Sequence, residues 1–263
     1  AQEIINLLKQ NVATETHDFA GGKLELLMIK LEPNAPSINK TLEELIENYK
    51  HIDFKALAIH RRQNTFIPKA DDIFHEGDLV YVITKPHAIK ELMELSGKTK
   101  FNINNVMIVG GGRIGKLTAK RLENDLNIKI IEQDKERSFE LTNVLSNTLV
   151  VNADARNVDL LEDEGIKDMD AFIAVTENTE TNILTCLQAK SFGVKRTIAM
   201  VENIDYIDIS QNIGIDTIIN KKLIAASYMV RYTLGGNVSS LKCLSGIDAD
   251  IVEFIVRDGA AVT

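Results

Sequence analysis

The stretch from Asn105 to Asp134, NVMIVGGGRIGKLTAKRLENDLNIKIIEQD, constrains this chain more than any other. Val106–Val109 is a short apolar run of the kind that forms a buried parallel strand. It ends in Gly110-Gly111-Gly112-Arg113-Ile114-Gly115, which contains G-x-G-x-x-G. Leu117, Arg121 and Leu122 then fall at helical spacing within Lys116–Leu126, and Ile128, Ile130 and Ile131 make a second strand ending at Glu132. Strand, glycine turn, helix and strand in this order predict a Rossmann unit that binds a nucleotide. Gly110 permits the tight turn, Gly112 lets a pyrophosphate approach the backbone, and Gly115 lets the helix pack close to the strand. The helix N-terminus offers unpaired N–H groups and a partial positive charge to a phosphate. Glu132 lies 17 residues after Gly115, where a carboxylate accepts the ribose hydroxyls. A negative charge there is expected to admit NAD(H) or adenine nucleotides and to turn away the 2′-phosphate of NADP(H).

At 263 residues the chain has length for about two domains. Its net charge of −8 argues against a nucleic-acid surface. No apolar run approaches the ~20 residues that a membrane helix needs, and no signal peptide is expected. Cys186 and Cys243 sit in apolar settings without C-x-x-C, so a reducing compartment and structural thiols are expected. The first residue is Ala and the pattern stops abruptly at Val262-Thr263, as in a piece of a longer protein.

Residues 1–100 read as a separate α+β unit. Glu3–Gln10 has a helical apolar face, and Lys23–Leu31 is a strand closed by Glu32-Pro33-Asn34-Ala35-Pro36. Thr41-Leu42-Glu43-Glu44 is a capping box opening a helix to about Asn48. Strands follow at Phe54–His60 and Leu79–Thr84, with a short edge at Thr65–Pro68, and Pro86 opens a last helix. Ser96–Asn104 is a polar linker. From Asn105 the pattern alternates strand and helix through Thr148–Val151, Ala171–Val175, Arg196–Val201 and Thr217–Ile219, ending in a helix at Leu223–Leu234. The expected fold class is α/β, a Rossmann-like doubly wound parallel sheet. Gly110–Gly115, Glu132, Asp154 and Thr176–Asn178 all follow strand ends and are expected to converge on one crevice.

An offset of 225 residues aligns the hydrophobic pattern of the two ends. Phe19–Gly22 and Leu26–Leu31 fall on Leu244–Ile247 and Ile251–Val256, and Ile4–Leu8 falls on Met229–Thr233. The alternation implies a tandem parent built from two copies of a pair.

VMIVGGGRIGKLTAKRL, IIEQD, VNADARNVDLL, AFIAVTENTETNIL and IDTIINKKLIAA resemble the RCK (KTN) domain family that regulates potassium channels and transporters. Within it they are most similar to the TrkA peripheral subunits of Trk potassium uptake systems. GDLVYVITKP is the most typical stretch of the small unit. The resemblance implies a small RCK C-terminal-type domain over 1–100, a Rossmann-like RCK N-terminal-type domain over 104–234, and the start of a second C-terminal-type domain over 235–263. It further implies a cytosolic, non-catalytic gating subunit, peripheral at the inner face of the membrane. Such subunits bind NAD(H) or ATP/ADP and assemble as homo-oligomeric rings beneath a potassium pore.

Carried over by motif, the resemblance places Gly110, Gly112 and Gly115 at the phosphates, with Ile114 in the same turn. Arg113 is a candidate for phosphate pairing. Glu132 would hold the ribose, Asp154 and Ala155 would border the adenine, and Thr176 and Asn178 would line the far wall. Two alternatives stay open: Asp154 as a cap on the following helix, and Arg113 as a solvated surface residue. After the fifth strand the family commonly carries a basic residue, whereas this chain reads Ala199-Met200-Val201, which speaks against a triphosphate contact there.

His17, His51, His60, His75 and His87 all lie in the small unit without metal-ligand spacing. No Ser/His/Asp set or Tyr-x-x-x-Lys pair is recognisable, and no substrate domain follows the nucleotide fold. Two functions stand: a regulatory nucleotide-binding subunit, and an NAD-dependent oxidoreductase fragment lacking its substrate half. The helix at Leu223–Leu234 has wider apolar coverage than one sheet face requires, so it is expected to pack against a neighbouring unit.

Overall fold

The computed structural model describes residues 1–9, 15–62, 64–98, 101–233, 238–243, 250–254 and 256. The chain divides into two units, Ala1–Asn11 with Asn102–Lys221 and Val12–Phe101 with Lys222–Thr263. Helix α1 (Gln2–Lys9) therefore goes with the Rossmann-type unit and not with residues 12–101. It packs on a helix of that unit, where Arg121 Nη1 donates to Gln2 Oε1 at 2.5 Å. Its apolar stripe, Ile4, Ile5, Leu7 and Leu8, is buried, which is why a surface boundary near residue 100 misses it.

In the small unit the strands are β1 (Glu15–Phe19), β2 (Leu24–Lys30), β3 (Phe54–Arg61), β4 (Asn64–Phe66) and β5 (Leu79–Thr84). Helix α2 (Leu42–Asn48) follows β2, and α3 (Ile89–Leu95) follows β5. The antiparallel sheet runs β1-β2-β5-β3-β4. The capping box is formed: Thr41 Oγ1 accepts the Glu44 N–H, and Glu44 Oε2 accepts the Thr41 N–H. LELLMIK is apolar on both faces because both faces are covered. Leu27, Ile29 and Val82 share a core with Leu45 and Leu92 of the two helices. Leu26, Met28 and Tyr81 form a second cluster on the opposite face with Phe19. Each such Leu or Ile contributes roughly 1.5–3 kcal/mol when fully buried.

The Rossmann-type unit is six parallel strands with alternating helices. They are β6 (Asn105–Val109), α4 (Arg113–Leu122), β7 (Asn127–Glu132), α5 (Lys135–Val144), β8 (Thr148–Asn152), α6 (Val158–Asp163), β9 (Ala171–Ala174), α7 (Thr179–Ser191), β10 (Arg196–Met200), α8 (Asp205–Asn212) and β11 (Thr217–Ile219). The order β11-β10-β9-β6-β7-β8 is the doubly wound one, reversing direction between β6 and β9. Val106–Val109 and Ala171–Ala174 are buried throughout, as central strands of such a sheet must be.

After α9 (Lys221–Thr233), β12 (Val238–Cys243) and β13 (Asp250–Phe254) form a two-stranded antiparallel sheet. Its register is that of β1–β2 shifted by 225 residues. His17↔Leu26 becomes Lys242↔Ile251, and Glu15↔Met28 becomes Ser240↔Glu253. The hairpins touch: Ile251 packs against the Phe19 cluster, and Glu253 Oε1 accepts the Ala20 N–H at 2.8 Å. Leu234, Gly235-Gly236, Leu244–Ile247 and the Cys243 side chain lie outside the described residues.

Candidate functional site

The reversal between β6 and β9 opens a crevice of about 300 Å³ at the carboxyl ends of the strands. Gly110 takes the chain out of β6 at φ +101°. A Cβ there would lie 3.0 Å from Thr176 N and the Val175 carbonyl, so only glycine fits this turn against the end of β9. Gly112 has open space where its Cβ would be. Helix α4 starts from Gly112 with no side-chain cap, whereas α5, α6 and α7 start on Asp134, Asn157 and Asn178. The start of α4 thus carries no side-chain acceptor of its own.

Gly115 has a different job. Its Cβ would fall 2.0 Å from Gly110 O, so the helix crosses the strand end at backbone contact. Gly110, Gly112, Glu132, Asp154, Ala155, Thr176 and Asn178 line the crevice. Gly115, Arg113 and Ile114 do not, and Arg113 is exposed. As the first residue of α4, Arg113 is carried outward by the helical turn.

Glu132 is buried at the end of β7 with both oxygens in use. Oε2 accepts the Gly111 N–H at 2.7 Å, and Oε1 accepts the Asp134 N–H at 2.9 Å. Arg137 Nη1 stands 3.6 Å from Oε2. Asp154 is gripped by Arg156, whose backbone N–H, Nε and Nη2 reach it at 2.9, 3.0 and 2.6 Å. Those hydrogen bonds hold the Asp154 carboxyl below its ordinary value. Asn157, not Asp154, caps the next helix.

On the far wall, Thr176 is fixed by a residue that spacing did not single out. Buried Asn182 accepts the Thr176 N–H and hydroxyl at 2.9 and 2.7 Å. Its amide donates to Thr176 O and Met200 O, tying β9 to β10. Asn178 Oδ1 is committed to the Thr181 N–H at 2.6 Å. Glu177 lines the crevice with Thr176 and Asn178, as their place after a strand end predicts, whereas Gln133, Arg137, Arg156 and Thr181 line it without having been singled out by the sequence. Arg137 had a signal, because it falls in the first turn of the helix after the acidic strand end. No histidine lines it; His60 is buried in the small unit beside Thr65 Oγ1, at 2.9 Å.

Open glycine backbone, an uncapped helix start, and carboxylates with paired guanidiniums suit a nucleotide. Residues 106–221 match the TrkA-N domain family and residues 26–97 the TrkA-C domain family. Trk system potassium uptake protein TrkA homolog 2 of Methanosarcina mazei is 31% identical over 97% of this chain and 56% of its own length. Trk system potassium uptake protein TrkA of Halomonas elongata is 29% identical over 97% of this chain and 56% of its own. The chain therefore spans little more than half the length of these relatives. Among solved structures, the GsuK RCK domain superposes with a TM-score of 0.57 at 18% identity, covering 90% of this chain and 53% of that one. The GsuK channel bound to NAD gives 0.55 at 19% identity, covering 86% and 41%. These two likenesses show the fold.

Proposed function

We propose, from the premise that the chain belongs to the TrkA-N and TrkA-C domain families, that it is a regulatory nucleotide-binding subunit of a membrane potassium transporter of the Trk type. The observation that carries this is the convergence of Gly110, Gly112, Glu132, Asp154 and Thr176 on one crevice at the sheet's reversal point. NAD(H), the ligand named for one GsuK channel, fits that arrangement, as do ATP and ADP. Gly110 and Gly112 with the start of α4 would hold phosphates, Glu132 the ribose, and Asp154 and Ala155 the adenine edge.

The subunit is proposed to turn nothing over. Glu132 and Asn178 are engaged with backbone N–H groups, Asp154 with Arg156 and Thr176 with Asn182, an arrangement for holding a ligand in place. A site without chemistry acts through unequal affinity for two conformations. A ~10-fold shift needs about 1.4 kcal/mol of difference, and a charge-assisted hydrogen bond of roughly 1.5–3 kcal/mol would supply it. Among the described residues no helix is long and apolar enough to cross a membrane. The proposed location is the cytoplasmic face of the membrane, held there by the pore partner.

Assembly is proposed to run through α9. Met229 and Val230 are exposed on it, while Leu223, Ile224 and Ala226 are half-buried. Exposed apolar side chains along a helix favour a second copy of the chain as partner.

Calorimetry with NADH, ADP and ATP on the purified chain tests the nucleotide reading, alongside Gly112→Val. Micromolar binding that the variant abolishes is the expected result. Absence of binding by all three nucleotides would overturn the reading.

A further inference from the structure

The rule that an acidic residue at this strand end turns away a 2′-phosphate assumes a carboxylate with free oxygens and unbalanced charge. Glu132 has neither. Both of its oxygens accept backbone N–H groups, from Gly111 and Asp134. Arg137 stands beside it on the crevice wall. Asp154 is matched in the same way by Arg156. Glu132 and Asp154 are thus each offset by a guanidinium, with Glu177 a further carboxylate of the lining.

The two arginines differ in how they are held. Arg156 is locked on Asp154 through Nε and Nη2. Arg137 meets Glu132 across 3.6 Å, beyond hydrogen-bonding distance, and its side chain is 47% exposed. Its guanidinium, a planar fork of five N–H donors, therefore keeps donors for a bidentate acceptor. It also sits in the first turn of α5, where the helix dipole adds positive potential.

We propose that Arg137 is the specificity-determining residue of the crevice, pairing with a phosphate on the adenosine ribose so that NADP(H) enters as well as NAD(H). This rests on the adenine-nucleotide reading above and replaces the exclusion of NADP(H) expected from Glu132 alone. The charge that a 2′-phosphate brings beside Glu132 is offset by the guanidinium already there.

The test is equilibrium binding of NADH and NADPH to the full chain, wild type and Arg137→Ala, with Arg137→Gln as a second variant and thermal melts as a folding check. Wild type is expected to bind the two within tenfold of each other. Either variant is expected to weaken NADPH tenfold or more and NADH less than threefold. Wild-type binding of NADH with NADPH more than tenfold weaker overturns this inference and leaves the nucleotide reading standing. An equal loss of both ligands in a folded variant makes Arg137 a structural residue and also overturns it. Binding of neither ligand by wild type would overturn the nucleotide reading and this inference with it. The wild-type ratio needs no variant to fold.

Discussion

Gly111 and Glu132 are joined by a 2.7 Å hydrogen bond from the glycine N–H to Oε2, tying the phosphate-type turn to the end of the second strand. The approach is so close that a Cβ on Gly111 would lie 3.1 Å from that oxygen and 2.3 Å from Leu141 Cδ1. The middle glycine of the run is therefore as constrained as Gly110 before it, whereas Gly112 after it has open space. Glu132 shapes the crevice before any ligand arrives.

Replacing Glu132 by Ala would leave the Gly111 and Asp134 N–H groups without their acceptor. Each hydrogen bond to a charged group is worth roughly 1.5–3 kcal/mol. Stability is expected to fall by about 3–6 kcal/mol and nucleotide affinity to fall with it. Urea unfolding and calorimetry on the same variant check both. Loss of affinity at unchanged stability would mean that the carboxylate serves the ligand alone.

Two glycines of the motif should respond in opposite ways. Gly115→Ala places a methyl 2.0 Å from Gly110 O, backbone against backbone, and is expected to cost about 3 kcal/mol or more. Gly112→Ala meets nothing within 4 Å. It should change stability by less than ~1 kcal/mol while weakening nucleotide binding. Thermal melts and binding constants of the pair distinguish them, and equal destabilisation would contradict the distinction.

Buried Glu123 makes stability depend on pH. Its carboxylate accepts the Ser146 and Asn147 N–H groups, the Thr148 hydroxyl and Lys120. Burial alone would raise its pKa, but these hydrogen bonds outweigh it and the net shift is downward. A lowered folded value means that the stabilisation is complete above the unfolded value of ~4.3. It is lost as pH falls through the folded value beneath it. Glu123→Gln should therefore be less stable than wild type at pH 7, with the gap closing as pH falls through the folded value, below ~4.3. A gap that persists in acid would contradict the assignment.

In the small unit Asp78 is buried and accepts Arg61 Nε and Nη2, each at 2.7 Å, and the His75 N–H. Asp78→Ala strands Arg61 and is expected to cost ~3–5 kcal/mol. The loss should appear in denaturant unfolding of that unit, with nucleotide affinity unchanged within twofold. A twofold or greater change in affinity would contradict an effect confined to the small unit.

The βαβ core was legible because apolar runs, a glycine turn and helical spacing all specified the same elements, from Val106–Val109 to Thr217–Ile219. Other features were not. Strand β1, Glu15–Phe19, is mostly polar and gains its pairing from β2 alone, so no periodicity marks it. The family resemblance makes Arg113 a candidate for phosphate pairing but cannot say which way a first-turn side chain leaves the helix. Conversely, Arg137 and Arg156 reach the crevice from elements distant in sequence from the glycine turn. Asn182 fixes Thr176 through contacts that only the folded sheet brings together.

The central claim is that the crevice is a regulatory site coupled to a potassium pore, and coupling is reciprocal. The direct measurement is the dissociation constant of NADH and of ATP with and without the pore subunit. The account predicts that the pore subunit changes at least one of them by ~10-fold, about 1.4 kcal/mol. That nucleotide should change pore-subunit affinity by the same factor. Equal constants in every comparison would contradict it and make the nucleotide a structural ligand.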